Sequence, residues 1–229
     1  MRRKTKVQPD MGLREQNKLD KCQRIRAAAR DLFTRRGFDA ATLRSIAKRA
    51  GVGLGTLFNY ADDKRDLVFL IFNEELDALT GEALAKPRPG APLVEQLLAI
   101  FGCHYRRLGA MPVLSRILLQ ELTFYSAGKQ ALAFQRIRGR LIEGIEDVVR
   151  RAQRERRILA AEDPALIARH VFFVYSAAIR WWIAAPRPNP EQGLAELGRM
   201  LELQVAGLRP APEAEKRMMR SQQEGLTRV

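Results

Sequence analysis

Apolar residues recur at spacings of three and four along most of the chain, which is the period of an amphipathic helix. The first run covers residues 18–36 and ends at Gly37, a residue type that commonly follows the last helical turn. Shorter runs follow at about 43–50 and 53–60, and a longer run covers about 64–79. Further helices are expected at residues 92–109, 112–124, 127–157, 164–184 and 190–207. The pattern predicts an all-α fold of about nine helices, because no strand alternation or hairpin turn signal stands out.

Changes in composition divide the chain into four parts. Residues 1–17 are polar and predict a flexible basic arm, and the charged, proline-containing residues 209–229 predict a flexible tail. Between them, residues 18–66 form a small helical domain and residues 67–208 a larger helical body. The longest apolar runs fall short of the ~18 residues that a membrane span needs. The basic N-terminus is followed by no apolar stretch, which excludes a secretory signal.

Positive charge is concentrated at the N-terminal end. Residues 1–65 contain 17 Lys and Arg against 7 Asp and Glu, whereas residues 66–229 contain 23 against 19. A basic end on a nearly balanced body suggests a module that binds a polyanion such as nucleic acid. A solvated basic surface without a partner is the alternative.

Two short helices separated by Gly51 within this basic segment form a helix-turn-helix pattern. The second helix of such a pair enters the major groove with its first residues at base edges. Those positions carry no charge here, and Asn59 is a type that can bond adenine through two hydrogen bonds. The flanking charges are Arg44 and Lys48 on one side and Lys64 on the other. The pattern alone also fits a plain pair of packed helices.

Residues 33–67, FTRRGFDAATLRSIAKRAGVGLGTLFNYADDKRDL, resemble the DNA-binding domain of TetR-family transcriptional regulators. The similarity extends over about 35 residues without a gap. It departs from the family pattern at Gly53 (usually Ser), at Phe58 (usually Tyr, whose hydroxyl often bonds phosphate) and at Ala61 (usually aromatic). The DNA-binding residues that we assign from the pattern and the resemblance are Thr42, Arg44, Gly53, Leu54, Thr56, Phe58, Asn59, Tyr60 and Lys64.

The resemblance also implies that the body dimerises, so that two reading helices face a palindromic operator. The helix at 164–184 has two apolar stripes, of which one serves the core of the monomer and the other needs a partner. The residues assigned to the interface of the homodimer are Val171, Val174, Ala178, Trp182, Leu194, Leu197, Leu201 and Val205.

The resemblance further implies a small-molecule effector bound in the body. Apolar pockets with a few polar groups suit such ligands, and aromatic or polar-tipped residues recur on the body helices. The residues assigned to this pocket are Phe72, Phe101, His104, Tyr105, Tyr125, Phe134, Phe173 and Trp181. Ordinary core packing remains the alternative for each of them.

Other chemistry has little support in the residues. Cys22 and Cys103 cannot build a disulfide framework or a four-ligand zinc site, and Cys103 and His104 diverge by ~100° on a helix. No nucleophile elbow or phosphate loop is present, so we expect no enzyme activity, no cofactor and no metal. The basic arm either enters a minor groove or remains a disordered tail.

The sequence therefore predicts a cytoplasmic TetR-like repressor that binds a palindromic operator as a dimer and is released by an effector. Its expected partners are double-stranded operator DNA, a second copy of the chain and an unidentified small molecule, with no membrane. The alternative is a ligand-independent or architectural DNA-binding protein.

Overall fold

The computed structural model describes residues 12–158 and 161–208, which contain nine α-helices and no strand. The prediction of an all-α fold is confirmed. The helices are α1 (Leu13–Arg36), α2 (Leu43–Ala50), α3 (Leu54–Phe58), α4 (Lys64–Leu84), α5 (Leu93–Gly109), α6 (Pro112–Glu121), α7 (Ala131–Arg154), α8 (Pro164–Ile183) and α9 (Pro190–Ala206). Within this part of the chain no helix is long and apolar enough to cross a membrane.

The first helix begins earlier than its apolar pattern predicts. α1 starts at Leu13, so residues 13–17 of the predicted arm are helical. These residues, Leu-Arg-Glu-Gln-Asn, are exposed and mostly good helix formers, but they add no apolar stripe that a periodicity argument could detect. The remainder of the predicted arm up to residue 11, and the predicted tail at 209–229, lie outside the described residues.

The connection between α6 and α7 is longer than predicted, because α6 ends at Glu121 and α7 begins at Ala131. Gly128 has a φ of +120°, a conformation that L side chains rarely adopt. A Cβ atom at this position would also lie 2.7 Å from Oδ1 of Asp66. The chain therefore leaves the helical pattern where its backbone turns around a buried carboxylate.

The described chain forms two compact units, and the first combines residues 12–78 with residues 111–137. In this unit α1 packs against α2 and α6, and α2 packs against α3. The central side chains, all fully buried, are Ile25, Phe33, Ile46, Leu57 and Phe69. The unit thus extends beyond the predicted N-terminal domain, which ended at residue 66.

The second unit combines residues 79–110 with residues 138–208. Here α9 packs along α5 and α8. A Cβ atom on Gly193 would lie 2.5 Å from Cδ1 of Trp182 and 2.6 Å from Cε1 of Tyr105. The absence of a side chain at Gly193 therefore lets α9 approach the aromatic side chains of α5 and α8 closely.

Candidate nucleic-acid interface

The start of α2 is held by a capping box. The hydroxyl Oγ1 of Thr42 accepts a hydrogen bond from the backbone N–H of Ser45 at 3.1 Å, and Oγ of Ser45 accepts one from the backbone N–H of Thr42 at 3.1 Å. Two backbone donors that have no partner inside the helix are thereby satisfied. Thr42, one of the assigned DNA-binding residues, is exposed and uses its hydroxyl to begin this helix.

Gly51 forms the turn between α2 and α3. Its φ of 63° and ψ of 38° lie in the left-handed region, where glycine has no steric penalty. The backbone N–H of Val52 donates to the carbonyl of Ala47 at 3.1 Å, which closes the end of α2. This geometry sets the direction in which α3 leaves the turn.

The helix α3 buries one side and exposes the other. Leu57 is fully buried, whereas Leu54 and Thr56 are half-buried. Phe58 and Asn59 are exposed at the end of the helix. Gly53 and Gly55 are also exposed, so the backbone at the start of the helix is open to close approach. The exposed side of α3 is therefore uncharged, with one amide and one aromatic ring.

Positive charge flanks this uncharged surface on α2. Arg44 and Lys48 are exposed, are one helical turn apart and form no ion pair within the described residues. Arg49 is different, because its Nε lies 2.8 Å from Oδ2 of Asp31 on α1. Arg49 therefore joins α2 to α1, while Arg44 and Lys48 remain available to an external anion.

Two residues assigned to phosphate contacts are bonded within the chain. Nζ of Lys64 donates to the carbonyls of Phe38 at 2.8 Å and Asp39 at 3.1 Å, and it lies 4.6 Å from the centre of the Phe38 ring. The hydroxyl of Tyr60 donates to the carbonyl of Lys18 at 3.0 Å, and burial raises the pKa of this hydroxyl. Both side chains hold neighbouring segments of the same unit together.

A buried carboxylate in this unit has no counterpart among the assigned residues. Asp66 is 1% exposed and accepts hydrogen bonds from the backbone N–H groups of Asp62 at 2.9 Å, Lys129 at 3.0 Å and Gln130 at 2.9 Å. The hydroxyl of Tyr125 donates a fourth hydrogen bond to it. Asp66 therefore ties the start of α4 to the loop at 122–130.

The assigned effector residues of the first unit are tightly packed. The ring of Tyr125 stacks on Phe69 at 3.6 Å between centres, and Phe134 lies 4.8 Å from Phe69. Phe72 is also buried. Burial and the hydrogen bond to Asp66 raise the pKa of Tyr125. The rings of this group pack closely and the hydroxyl of Tyr125 has a hydrogen-bond partner. Both features are typical of side chains that stabilise the fold.

The assigned effector residues of the second unit include a buried hydroxyl with no partner. Phe101 stacks on Tyr175 at 4.2 Å, and His104 lies 5.7 Å from the same ring. Burial lowers the pKa of His104 to about 4. The hydroxyl of Tyr105 is buried and has no hydrogen-bond partner within the described residues. Phe101, His104 and Tyr105 thus lie together on α5, and their environment retains unused hydrogen-bonding capacity.

The structure corrects the assignment of the dimer interface. Six of the assigned side chains are already buried inside the second unit, and Val174 and Leu194 are half-buried. The six buried residues are Val171, Ala178, Trp182, Leu197, Leu201 and Val205. Nε1 of Trp182 also donates to the carbonyl of Asn189 at 2.7 Å. This stripe of α8 packs against its own chain, and the other stripe faces outward.

The outward stripe includes two residues that we assigned to the effector pocket. Phe173 is 63% exposed and Trp181 is 76% exposed, so neither lies with the buried aromatic group on α5. Leu166 on α8 and Leu203 on α9 are exposed as well. We call these four residues the outer α8–α9 face. Phe173 also lines a surface cavity of about 530 Å³ beside His170, whose Nδ1 lies 2.8 Å from Nε2 of Gln204.

Comparison with known proteins supports the interpretation of the first unit. Residues 25–71 match the family described as bacterial regulatory proteins, tetR family. An HTH-type transcriptional regulator of Staphylococcus aureus is 38% identical over 55 residues, which are 24% of this chain and 30% of that protein. The chain thus matches about a third of the length of such curated relatives.

Solved structures extend the similarity to most of the chain at the level of fold. FadR of Bacillus subtilis, in complex with stearoyl-CoA, has a TM-score of 0.64 and 20% identity, over 81% of this chain and 98% of that one. Thermus thermophilus FadR, a TetR-family transcriptional repressor in complex with lauroyl-CoA, has a TM-score of 0.62 and 24% identity, over 83% and 97%. The resemblance to TetR-family transcriptional regulators is confirmed, by sequence in residues 25–71 and by fold over the larger part of the chain.

Proposed function

We propose that this TetR-like chain is a transcriptional repressor that binds a palindromic operator as a homodimer and releases it when a small effector binds its body. The observation that carries the proposal is the exposed surface of α2 and α3, because the start of α2 and the turn between the two helices are set by local hydrogen bonds. A rigid pair of this kind presents the same side chains to every duplex it meets. Because operator DNA is the partner, the proposed location is the cytoplasm.

The proposed contacts divide between bases and phosphates. Leu54, Thr56, Phe58 and Asn59 belong to the uncharged end of the reading helix, where apolar contact with thymine methyl groups and amide bonds to adenine discriminate between bases. Gly53 and Gly55, exposed at the start of α3, allow the backbone to lie close to the groove wall. The register on the duplex then comes from phosphate contacts, which fix position without reading sequence.

The phosphate contacts belong to α2 in this proposal. Arg44 and Lys48 are exposed cations of α2 that form no ion pair within the described residues, whereas Arg49, nearer to the turn, pairs with Asp31. Lys64 and Tyr60 contribute indirectly. Their hydrogen bonds hold the turn at 38–39 and the start of α1 against the reading helices. Thr42 likewise sets the start of α2.

The homodimer is proposed to form through the outer α8–α9 face. Large exposed apolar side chains on two helices whose opposite sides are buried favour a protein partner, and a second copy of the chain is the simplest one. Two-fold symmetry would place two reading helices one DNA turn apart, at ~34–36 Å. Sedimentation of the full chain should accordingly give the mass of a dimer.

The effector is proposed to bind near the buried group on α5. Phe101 and Tyr105 supply apolar area, and the Tyr105 hydroxyl lacks a partner that a ligand can provide. The lowered pKa of His104 keeps its ring neutral near pH 7. Release of the operator then requires the effector to bind more tightly to the state whose reading helices no longer fit the two half-sites.

Selection of bound duplexes from a random DNA library tests the central claim. The full chain should enrich a palindrome, and its affinity for that palindrome should fall steeply with salt because bound phosphates release counterions. Substitution Asn59→Ala should weaken binding by about 1–3 kcal/mol and relax specificity at one position, whereas Arg44→Ala should weaken binding to all sequences. Lys48→Ala should weaken all sequences alike and reduce the salt slope by about 1.

A charge-matched control comes from the second unit. Arg187 is an exposed arginine in the connection between α8 and α9, and Arg187→Ala should leave operator affinity unchanged. The contact assignment is wrong if Arg44→Ala and Asn59→Ala bind the enriched duplex as tightly as the unaltered protein does. Enrichment of no sequence, with binding that follows total charge alone, would favour the architectural alternative.

A further inference from the structure

A basic cavity lies beside the start of α5, within the second unit. Its volume is about 300 Å³, and its walls include Lys86, Arg88, Glu95, Gln96 and Arg106. None of these residues belongs to the exposed surface of α2 and α3 or to the aromatic group on α5. We call this feature the α5 basic cavity.

The charge of the cavity favours an anion. Lys86, Arg88 and Arg106 line it against a single carboxylate, Glu95. Lys86 is partly compensated, because its Nζ lies 3.2 Å from a carboxylate oxygen of Glu82. The guanidinium of Arg106 donates a hydrogen bond to the sulfur of Cys103 at 3.8 Å, and neither Arg106 nor Arg88 forms an ion pair within the described residues.

The beginning of α5 adds to this preference. The helix starts at Leu93 after Pro92, and no side chain caps its first turn. An uncapped helix N-terminus carries partial positive charge and N–H groups without partners, both of which favour an anion. Residues 91, 95 and 96 line the cavity at this end of the helix.

A buried amide oxygen supplies the second, independent feature. Gln96 is 1% exposed, its Nε2 donates to the carbonyl of Ala91 at 2.8 Å, and its Oε1 has no hydrogen-bond partner within the described residues. The carbonyl of Ala91 also accepts from the guanidinium of Arg157. Two hydrogen bonds thus fix the carbonyl of Ala91 in the wall of the cavity. Oε1 of Gln96, in the same wall, is an acceptor without a partner within the described residues.

We propose that the α5 basic cavity binds a small phosphate monoester that carries a hydroxyl or N–H group next to its phosphate. The phosphate is held by Arg88 and the start of α5, because charge-assisted hydrogen bonds to guanidinium groups are the strong ones. Arg106 lies more than three turns further along α5 and adds positive charge at the other end of the cavity. The hydroxyl or N–H group of the ligand donates a hydrogen bond to Oε1 of Gln96. Inorganic phosphate has no such neighbouring group and therefore binds more weakly. The volume of about 300 Å³ is sufficient for a sugar phosphate.

Calorimetry with the full chain and no DNA tests the proposal, so its outcome is independent of operator binding. The probes are ribose 5-phosphate, glycerol 3-phosphate and adenosine 5′-monophosphate, with ribose and inorganic phosphate as the two comparators. At least one phosphorylated probe should bind saturably and at least about fivefold more tightly than inorganic phosphate, and ribose should not bind.

Three variants locate the site. Arg88→Ala combined with Arg106→Ala, both exposed residues, should weaken the bound probe by at least about tenfold. Gln96→Leu should reduce the affinity for that probe to the affinity for inorganic phosphate. Arg187→Ala combined with Arg199→Ala, which removes two charges from exposed positions outside the cavity, should bind as the unaltered protein does.

Two results would overturn the proposal. The first is the absence of saturable binding by all three phosphorylated probes at millimolar concentration. The second is binding that the double arginine variant leaves unchanged, or that matches inorganic phosphate in strength. The arginine variants carry this test even if Gln96→Leu fails to fold, since both side chains lie at the surface.

Discussion

The carboxylate of Asp66 in the first unit and two buried polar groups of α5 in the second unit differ in their hydrogen bonding. In the first, the carboxylate of Asp66 accepts four hydrogen bonds, three of them from backbone N–H groups. In the second, the hydroxyl of Tyr105 and Oε1 of Gln96 are buried without partners among the described residues. A satisfied buried group holds its surroundings in one arrangement, whereas an unsatisfied one costs stability that a ligand can restore. The contrast belongs to these particular groups, because Oδ1 of Asn73 in the first unit is also buried without a hydrogen-bond partner within the described residues.

Removal of the Asp66 carboxylate should have the largest effect. Asp66→Ala leaves three buried backbone donors and one hydroxyl without their acceptor, and we expect the free energy of unfolding to fall by about 3–5 kcal/mol. Urea denaturation followed by far-ultraviolet circular dichroism measures the loss. The matched control is Asp63→Ala, immediately before the same helix, whose side chain accepts one hydrogen bond, from the N–H of Asp66 at 2.7 Å. That change should cost only about 1 kcal/mol, and equal costs would remove the special role of Asp66.

Acid should destabilise the second unit through His104. Its pKa is about 4 in the folded chain against 6.5 when solvated, so the unfolded state takes up a proton first as the pH falls. Stability should be complete above pH 6.5 and should decrease by up to about 3 kcal/mol between pH 6.5 and 4. Urea denaturation at each pH, followed by tryptophan fluorescence, measures this unit, since both tryptophans lie on α8.

The second histidine gives the control for this pH dependence. His104→Phe should remove most of the decrease, while His170→Gln, at an exposed position on α8, should retain it. An unchanged pH profile for His104→Phe would show that other groups control the acid response.

A pair of identical substitutions should give the smallest effect and the sharpest contrast. Tyr125→Phe deletes a hydroxyl that donates to Asp66 and should cost about 1–2 kcal/mol. Tyr105→Phe deletes a buried hydroxyl without a partner and should change stability by less than about 0.5 kcal/mol, or increase it. Thermal or urea denaturation of both variants checks the difference. Equal losses would mean that the Tyr105 hydroxyl is as well satisfied as that of Tyr125.

Most helix positions could be predicted from the sequence, because an apolar stripe with a period of 3.6 residues is a local signal. The same holds for the caps at Thr42 and Gly51, whose residue types determine their own backbone geometry. The start of α1 at Leu13 was missed because its first turns are exposed and bury nothing. The loop at 122–130 was missed because its conformation depends on Asp66, more than fifty residues away in the chain.

The candidate sites show the same difference between what neighbouring residues determine and what distant contacts determine. The reading surface on α2 and α3 was identified correctly as a TetR-like segment, since its exposed and buried positions follow from one short stretch. Whether Tyr60 and Lys64 are free for DNA depended on carbonyl groups of α1 and of the turn at 38–39, which a sequence pattern does not locate.

The sequence by itself determined the all-helical class, the helix-turn-helix and the basic N-terminal end, because each follows from neighbouring residues. Only the tertiary structure decided which stripe of α8 is core and which is surface. Both stripes are apolar, and burial depends on which of them α5 and α9 cover. It also decided that Asp66 is saturated and that Gln96 keeps an unused oxygen, because a hydrogen bond between distant segments exists only once the chain has brought them together.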